Sequence, residues 1–200
     1  MLTSPWDLIL TALFAATGLW CAIDLAAHRG QARRADGSLT EHTVIHVNHL
    51  VMSIAMILMV WVPMIDAANW AQVAIFAIFA AALTPALATG GVANRVSALG
   101  HITMNAAMIW MVLAMPLLMA GMIVGGDESS AHHHHGGDDS GLPTSTPVWA
   151  DVVNGIFVIV SALAALWWIL ALLRRNRHWH DLCYAAMSAG MGIMLVLMNV

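Results

Sequence analysis

HITMNAAMIWMVLAMPLLMAGM, residues 101–122, is apolar enough and long enough to cross a bilayer as one helix, which takes roughly 20 residues at about 1.5 Å each. Its sulfur atoms are not scattered along it. His101, Met104, Met108, Met111, Met115, Met119 and Met122 recur every three or four residues. At about 100° per residue they fall within an arc of roughly 80° on one helix face. Lipid gives a row of thioethers no advantage, so the row belongs on the inside of a helix bundle.

The rest of the chain is made of similar material. Of its 200 residues 60% are hydrophobic and 9% charged, and the mean hydropathy is +0.80. A soluble domain carries about 25% charged residues. The composition therefore predicts an all-α, polytopic membrane protein forming a single integral domain over 1–200. Six transmembrane helices are expected near 6–27, 44–64, 69–88, 98–124, 149–173 and 181–200. The N-terminal MLTSPWDLIL has no positive segment and no small-residue cleavage site, so it reads as a retained first span. The two cysteines, Cys21 and Cys183, lie in apolar segments and read as buried thiols. No Walker loop, serine elbow or paired intramembrane carboxylates are found, so neither an enzyme nor a nucleic-acid-binding protein is expected.

All seven basic residues are arginines and all lie on one side of the expected membrane. Arg29, Arg33 and Arg34 follow the first span, Arg95 the third, and Arg174, Arg175 and Arg177 the fifth. The positive-inside rule makes that side cytoplasmic and both termini extracytoplasmic, as for a multi-pass protein of a bacterial cytoplasmic membrane. Asp7, Asp66, Asp127, Glu128, Asp138, Asp139 and Asp151 fall on the other side, with Trp6, Trp70 and Trp149 at the outer helix ends. The long outer loop (125–148), which opens GGDESSAHHHHGGDDSG, has no apolar period and is expected to be flexible. Its His132, His133, His134 and His135, flanked by acids, offer a possible outer metal-collecting site or merely a solvated insert.

The chain repeats internally. Span two reads His49-x2-Met52-x3-Met56-x2-Met59, preceded by His46, and span four reads His101-x2-Met104-x3-Met108-x2-Met111, followed by Met115. Span six reads His180-x2-Cys183-x3-Met187, then Met191, Met194 and Met198, with cysteine in the first methionine position. Three helical-hairpin repeats follow, each a spacer helix and then a His/Met helix. Methionine fills irregular gaps in helix packing, which explains one or two such residues. Packing need would not separate odd helices from even ones, yet all methionines except Met1 lie on the even spans or at their ends. The candidate metal ligands are therefore His46, His49, Met52, Met56, Met59, His101, Met104, Met108, Met111, Met115, His180, Cys183, Met187, Met191 and Met194.

Ligand softness selects the metal. Thioether and thiol select Cu(I), imidazole also suits copper, and hard ions would find nothing inside these spans. Haem b is the alternative cofactor, since Met and His both serve as axial ligands, but a haem needs two ligands and not three ladders. Asp24, one turn before His28, reads as its i, i+4 partner.

At these residues the chain resembles a family of uncharacterised small, His/Met-rich polytopic membrane proteins of actinobacteria, a domain of unknown function. The resemblance rests on the repeated HxxMxxAM pattern and covers most of spans two to six. More distantly, HVNHLVMSIAMILMVWVP (46–63) is similar to one helix of the multi-spanning cytochrome-oxidase assembly factors of Gram-positive bacteria, which are linked to copper delivery. The function expected is Cu(I) handling, by transport or by delivery to a membrane partner such as a respiratory oxidase. A b-type haem electron-transfer protein and a structural accessory subunit of a larger complex are the alternatives.

Overall fold

The computed structural model describes residues 5–28, 41–61, 66–89, 91–118, 146–174 and 179–198. Six helices make up these stretches: α1 (Trp6–Ala27), α2 (Glu41–Trp61), α3 (Asp66–Thr89), α4 (Val92–Leu118), α5 (Val148–Arg174) and α6 (Trp179–Leu197). Each is long and apolar enough to cross a membrane, so the chain is an all-α, multi-pass membrane protein. Only a helix satisfies its own backbone in hydrocarbon without a closed barrel, which is why the apolar runs take this form. Pro5 and Pro147 stand just before α1 and α5, and Asp7 and Asp151 occupy first turns, where the helix dipole favours negative charge.

Three helices begin three or more residues before the apolar windows that announce them. α4 starts at Val92, ahead of residue 98, α2 at Glu41, ahead of residue 44, and α3 at Asp66, ahead of residue 69. Hydropathy marks where a helix enters hydrocarbon, whereas the hydrogen-bonded ladder continues into polar residues. The outer loop with its histidines, and Met64, Met119 and Met122, lie outside the described residues.

The helices pack as three hairpins, α1 with α2, α3 with α4 and α5 with α6. The hairpins then meet in cyclic order: α2 against α3, α4 against α5, and α6 back against α1. Burial separates inner helices from outer ones. The apolar windows of α2, α4 and α6 are 56, 50 and 39% buried, those of α1, α3 and α5 only 28, 11 and 17%. Leu19, Ile23, Ile78, Ile159 and Leu163 on the outer helices are exposed and meet lipid in a bilayer.

Small residues set the approach at two seams. A Cβ on Gly18 would stand 3.0 Å from Ser53 Cβ, and one on Gly190 only 2.8 Å from Phe14 Cε1. The second contact closes the ring, because it joins the last hairpin to the first. Polar clips add to the packing within hairpins: Trp61 Nε1 donates to Thr11 Oγ1 at 2.8 Å, and Asn154 Nδ2 to the Leu195 carbonyl at 3.1 Å.

Methionine is the commonest residue of the described interior. Met52, Met56 and Met59 of α2, Met104, Met108 and Met111 of α4, and Met187, Met191, Met194 and the adjoining Met198 of α6 share one buried cluster, none more than 7% exposed. Met115 packs half-buried at its edge. A smaller cluster of Ile45, Leu83, Trp168, Tyr184 and Ala185 lies toward the histidine end.

Candidate metal centre

Three helix ends converge at the end of the bundle that holds the histidines. Asp24 sits in the last turn of α1, His46 near the start of α2, and His180 at the start of α6. His46 Nε2 is 3.1 Å from Asp24 Oδ2 and 3.4 Å from His180 Nδ1. His180 Nε2 stands 3.8 Å from Asp24 Oδ1, and one donor atom from each of the three residues lies within 4.8 Å of the others. His46 is fully buried, whereas His180 is 32% exposed and opens the cluster to the outside. His28 contacts the same carboxylate at 3.4 Å, as its spacing predicts, and its Nδ1 lies 3.0 Å from the Asp24 carbonyl. The larger role of Asp24, toward His46 across the first hairpin and His180 on the third, is invisible in the sequence because both contacts form only when helices dock.

One turn deeper, His49 Nε2 lies 3.2 Å from His101 Nδ1, with both rings buried. One of these nitrogens donates to the other. Tyr184 stacks on His49 at 4.8 Å between centroids and meets His101 edge-on at 4.9 Å, while Trp168 stacks on His101 at 5.7 Å and meets Tyr184 edge-on at 5.1 Å. His101 Nε2 is buried and has no hydrogen-bond partner among the described residues. A buried, unpartnered imidazole nitrogen is costly unless it has a further occupant such as a water or a cation.

Below the imidazoles, hydroxyls touch sulfur. Ser188 Oγ donates to Met104 Sδ at 3.5 Å, and Ser53 Oγ to Met187 Sδ at 3.8 Å. Thr17 Oγ1 also lies 3.8 Å from Met187 Sδ, but its hydroxyl is within reach of the Leu13 and Phe14 carbonyls and has one proton to give.

These contacts fix how the inner helices align. The His49–His101 contact spans 52 residues, and the same spacing carries Met52, Met56 and Met59 onto Met104, Met108 and Met111. Between α2 and α6, His46–His180 and Ser53–Met187 both span 134 residues. To within one residue, that spacing carries Met52, Met56 and Met59 onto Met187, Met191 and Met194. The internal repeat instead pairs His49 with His180 and Met56 with Met187. In the fold α6 is displaced by about one turn, so Tyr184 stands at the level of His49, and Met187 at that of Met52. Tyr184-x2-Met187-x3-Met191-x2-Met194 has the same spacing as the repeat in α2 and α4, and this signal was present in the sequence. Cys183, half-buried, stands outside the methionine core, as does Cys21.

The arrangement offers two chemically distinct donor sets, a neutral sulfur interior and a mixed imidazole–carboxylate cluster at its mouth. Together they suggest a metal- or ligand-binding helix bundle. Comparison with curated proteins and with solved structures finds no match. A model for a Domain of unknown function does match, over residues 41–198 and thus from α2 into the turn that ends α6, and the chain belongs to that family, DUF5134.

Proposed function

We propose that this protein handles Cu(I) at a bacterial cytoplasmic membrane, holding the ion among the thioethers of α2, α4 and α6 and passing it along the bundle. The observation that carries this reading is the convergence of buried methionines from three helices into one core, while the three outer helices contribute none. A thioether is a neutral, soft donor that prefers Cu(I) to hard cations. Successive methionine levels provide exchangeable sites for a monovalent ion without burying a carboxylate, which is costly in hydrocarbon. His49 and His101 sit at one end of this path, and the buried His101 Nε2 offers a nitrogen donor there.

The asymmetry of the arginines orients the bundle, with the histidine end cytoplasmic and both termini outside. In this orientation His132–His135 collect the ion outside, and the core carries it toward the cytoplasm or hands it to a membrane partner such as a respiratory oxidase. The one-helix similarity at 46–63 to copper-linked assembly factors is consistent with delivery. A b-type haem fits less well, because His49 and His101 are paired nitrogen to nitrogen at 3.2 Å and a macrocycle would have to part them.

Elemental analysis and a visible spectrum of the protein purified under reducing conditions test this reading. Stoichiometric copper without a Soret band supports it. A Soret band selects the haem protein, and a metal-free, colourless protein that cannot be loaded with Cu(I) selects a structural subunit.

A further inference from the structure

The cluster at the mouth of the bundle has the wrong chemistry for the ion assigned to the core. Asp24, His46 and His180 offer two imidazole nitrogens and a carboxylate oxygen, and no sulfur. Carboxylate is a hard donor that Cu(I) gains little from, whereas two histidines and one carboxylate suit a borderline first-row divalent cation.

The geometry fits as well. Ligand atoms bound at about 2.0 Å to a tetrahedral ion stand about 3.3 Å apart. The two contacts that meet at His46 Nε2 measure 3.1 and 3.4 Å, near that spacing, and the three donor atoms lie within 4.8 Å of one another, so side-chain rotation can close them on an ion. Asp24 lies at the C-terminal end of α1, where the helix dipole favours a cation, and its carboxylate offsets one of the two charges. His28, beside the other carboxylate oxygen, holds that group in place from the rim. Three protein ligands on the partly open side of His180 leave a fourth position for water or an incoming donor.

We propose that Asp24, His46 and His180 form a second metal site, selective for a Zn2+-class divalent cation and independent of the thioether core. An ion held there ties α1 and α2 of the first hairpin to α6 of the third. It therefore clamps the same seam that the Gly190–Phe14 contact closes, and divalent binding stabilises the ring of hairpins. This assignment stands whether or not the core carries copper.

Co2+ titration of the full-length protein, with His132 to His135 replaced by serine to silence the outer loop, tests the site. The expected result is an intense visible spectrum of tetrahedral Co2+ that Zn2+ bleaches, together with a rise in unfolding temperature when Zn2+ is present. Asp24→Asn and His180→Gln should each weaken Co2+ binding by about tenfold or more, while Cu(I) affinity stays close to that of the parent. His180→Gln, at the partly exposed end of α6, decides the matter if Asp24→Asn does not fold. The proposal is overturned if the parent binds no Co2+, or if both folded variants keep the parent spectrum. Equal loss of Co2+ and Cu(I) binding would make this one shared site and overturn its independence.

Discussion

His49 Nε2 lies 3.2 Å from His101 Nδ1 across the α2–α4 interface, and neither ring is reached by solvent. Each imidazole is the other's hydrogen-bond partner in a largely apolar interior. Removing one leaves the other buried and unsatisfied, which costs about 1–3 kcal/mol. His101→Leu alone should lower thermal stability in detergent by that amount. His49→Leu combined with His101→Leu should cost less than the sum of the two single changes, because no orphaned nitrogen remains. Additive losses in a double-mutant cycle would show that the two rings act separately.

Gly190 is the second point where a single atom matters. A methyl group there would stand 2.8 Å from Phe14 Cε1 and 2.9 Å from Leu13 Cδ2, and the Phe14 ring is fully buried. Gly190→Ala should destabilise the protein by about 1–3 kcal/mol, the usual range for overpacking. Phe14→Leu in the same protein should recover part of the loss. Gly155→Ala is the control, since no atom lies within 4 Å of its added methyl, and it should be neutral or slightly stabilising in thermal unfolding.

The number of helices, their pairing and their division into inner and outer sets could be read from the chain. A methionine stripe is one-dimensional: it names the face that turns inward, and its restriction to alternate helices names the helices that do so. The approximate membership of the core followed from that. The alignment of α6 did not, because the repeat was anchored on His180, a residue at the helix end whose side chain reaches the first hairpin. Packing is set deeper, where Met187, Met191 and Met194 interlock with α2 and α4 and Tyr184 takes the place of a histidine. Asp24 was legible only as a local partner of His28. Its contact with His46 depends on how α1 docks on α2, and that with His180 on the ring closing between α6 and α1, neither of which a local pattern encodes. Ser53 and Ser188 were passed over for a similar reason: a hydroxyl that faces sulfur on another helix looks like any small interfacial residue until the helices are docked.

The orientation of the bundle makes its own prediction. A reporter that works only in the cytoplasm should be active when fused near Arg33 or Arg175, and silent when fused in the 125–147 loop or after Val200. The reverse pattern would put the histidine end outside and exchange the entry and exit of the path.

The outer loop can be separated from the core by concentration. If His132–His135 gather the ion and the helices hold it, deleting 129–140 should weaken Cu(I) uptake at low concentration and leave saturation unchanged. Loss of binding at every concentration would make the loop itself the site.

The most direct test replaces sulfur by carbon at one level of the core. Leu for Met nearly conserves volume and typically costs less than about 1.5 kcal/mol in a packed interior. Met52, Met104 and Met187 are the residues to change, because the register set by the cross-helix contacts brings them to one level of the core, next below the His49–His101 pair. The measurement is Cu(I) affinity by competition with a coloured Cu(I) chelator, made on the Met52→Leu, Met104→Leu, Met187→Leu protein after its fold has been verified. Loss of affinity by about tenfold or more, with only a small fall in unfolding temperature, is the predicted result. A folded triple variant that binds Cu(I) as tightly as the parent would contradict the account and leave the methionines as packing.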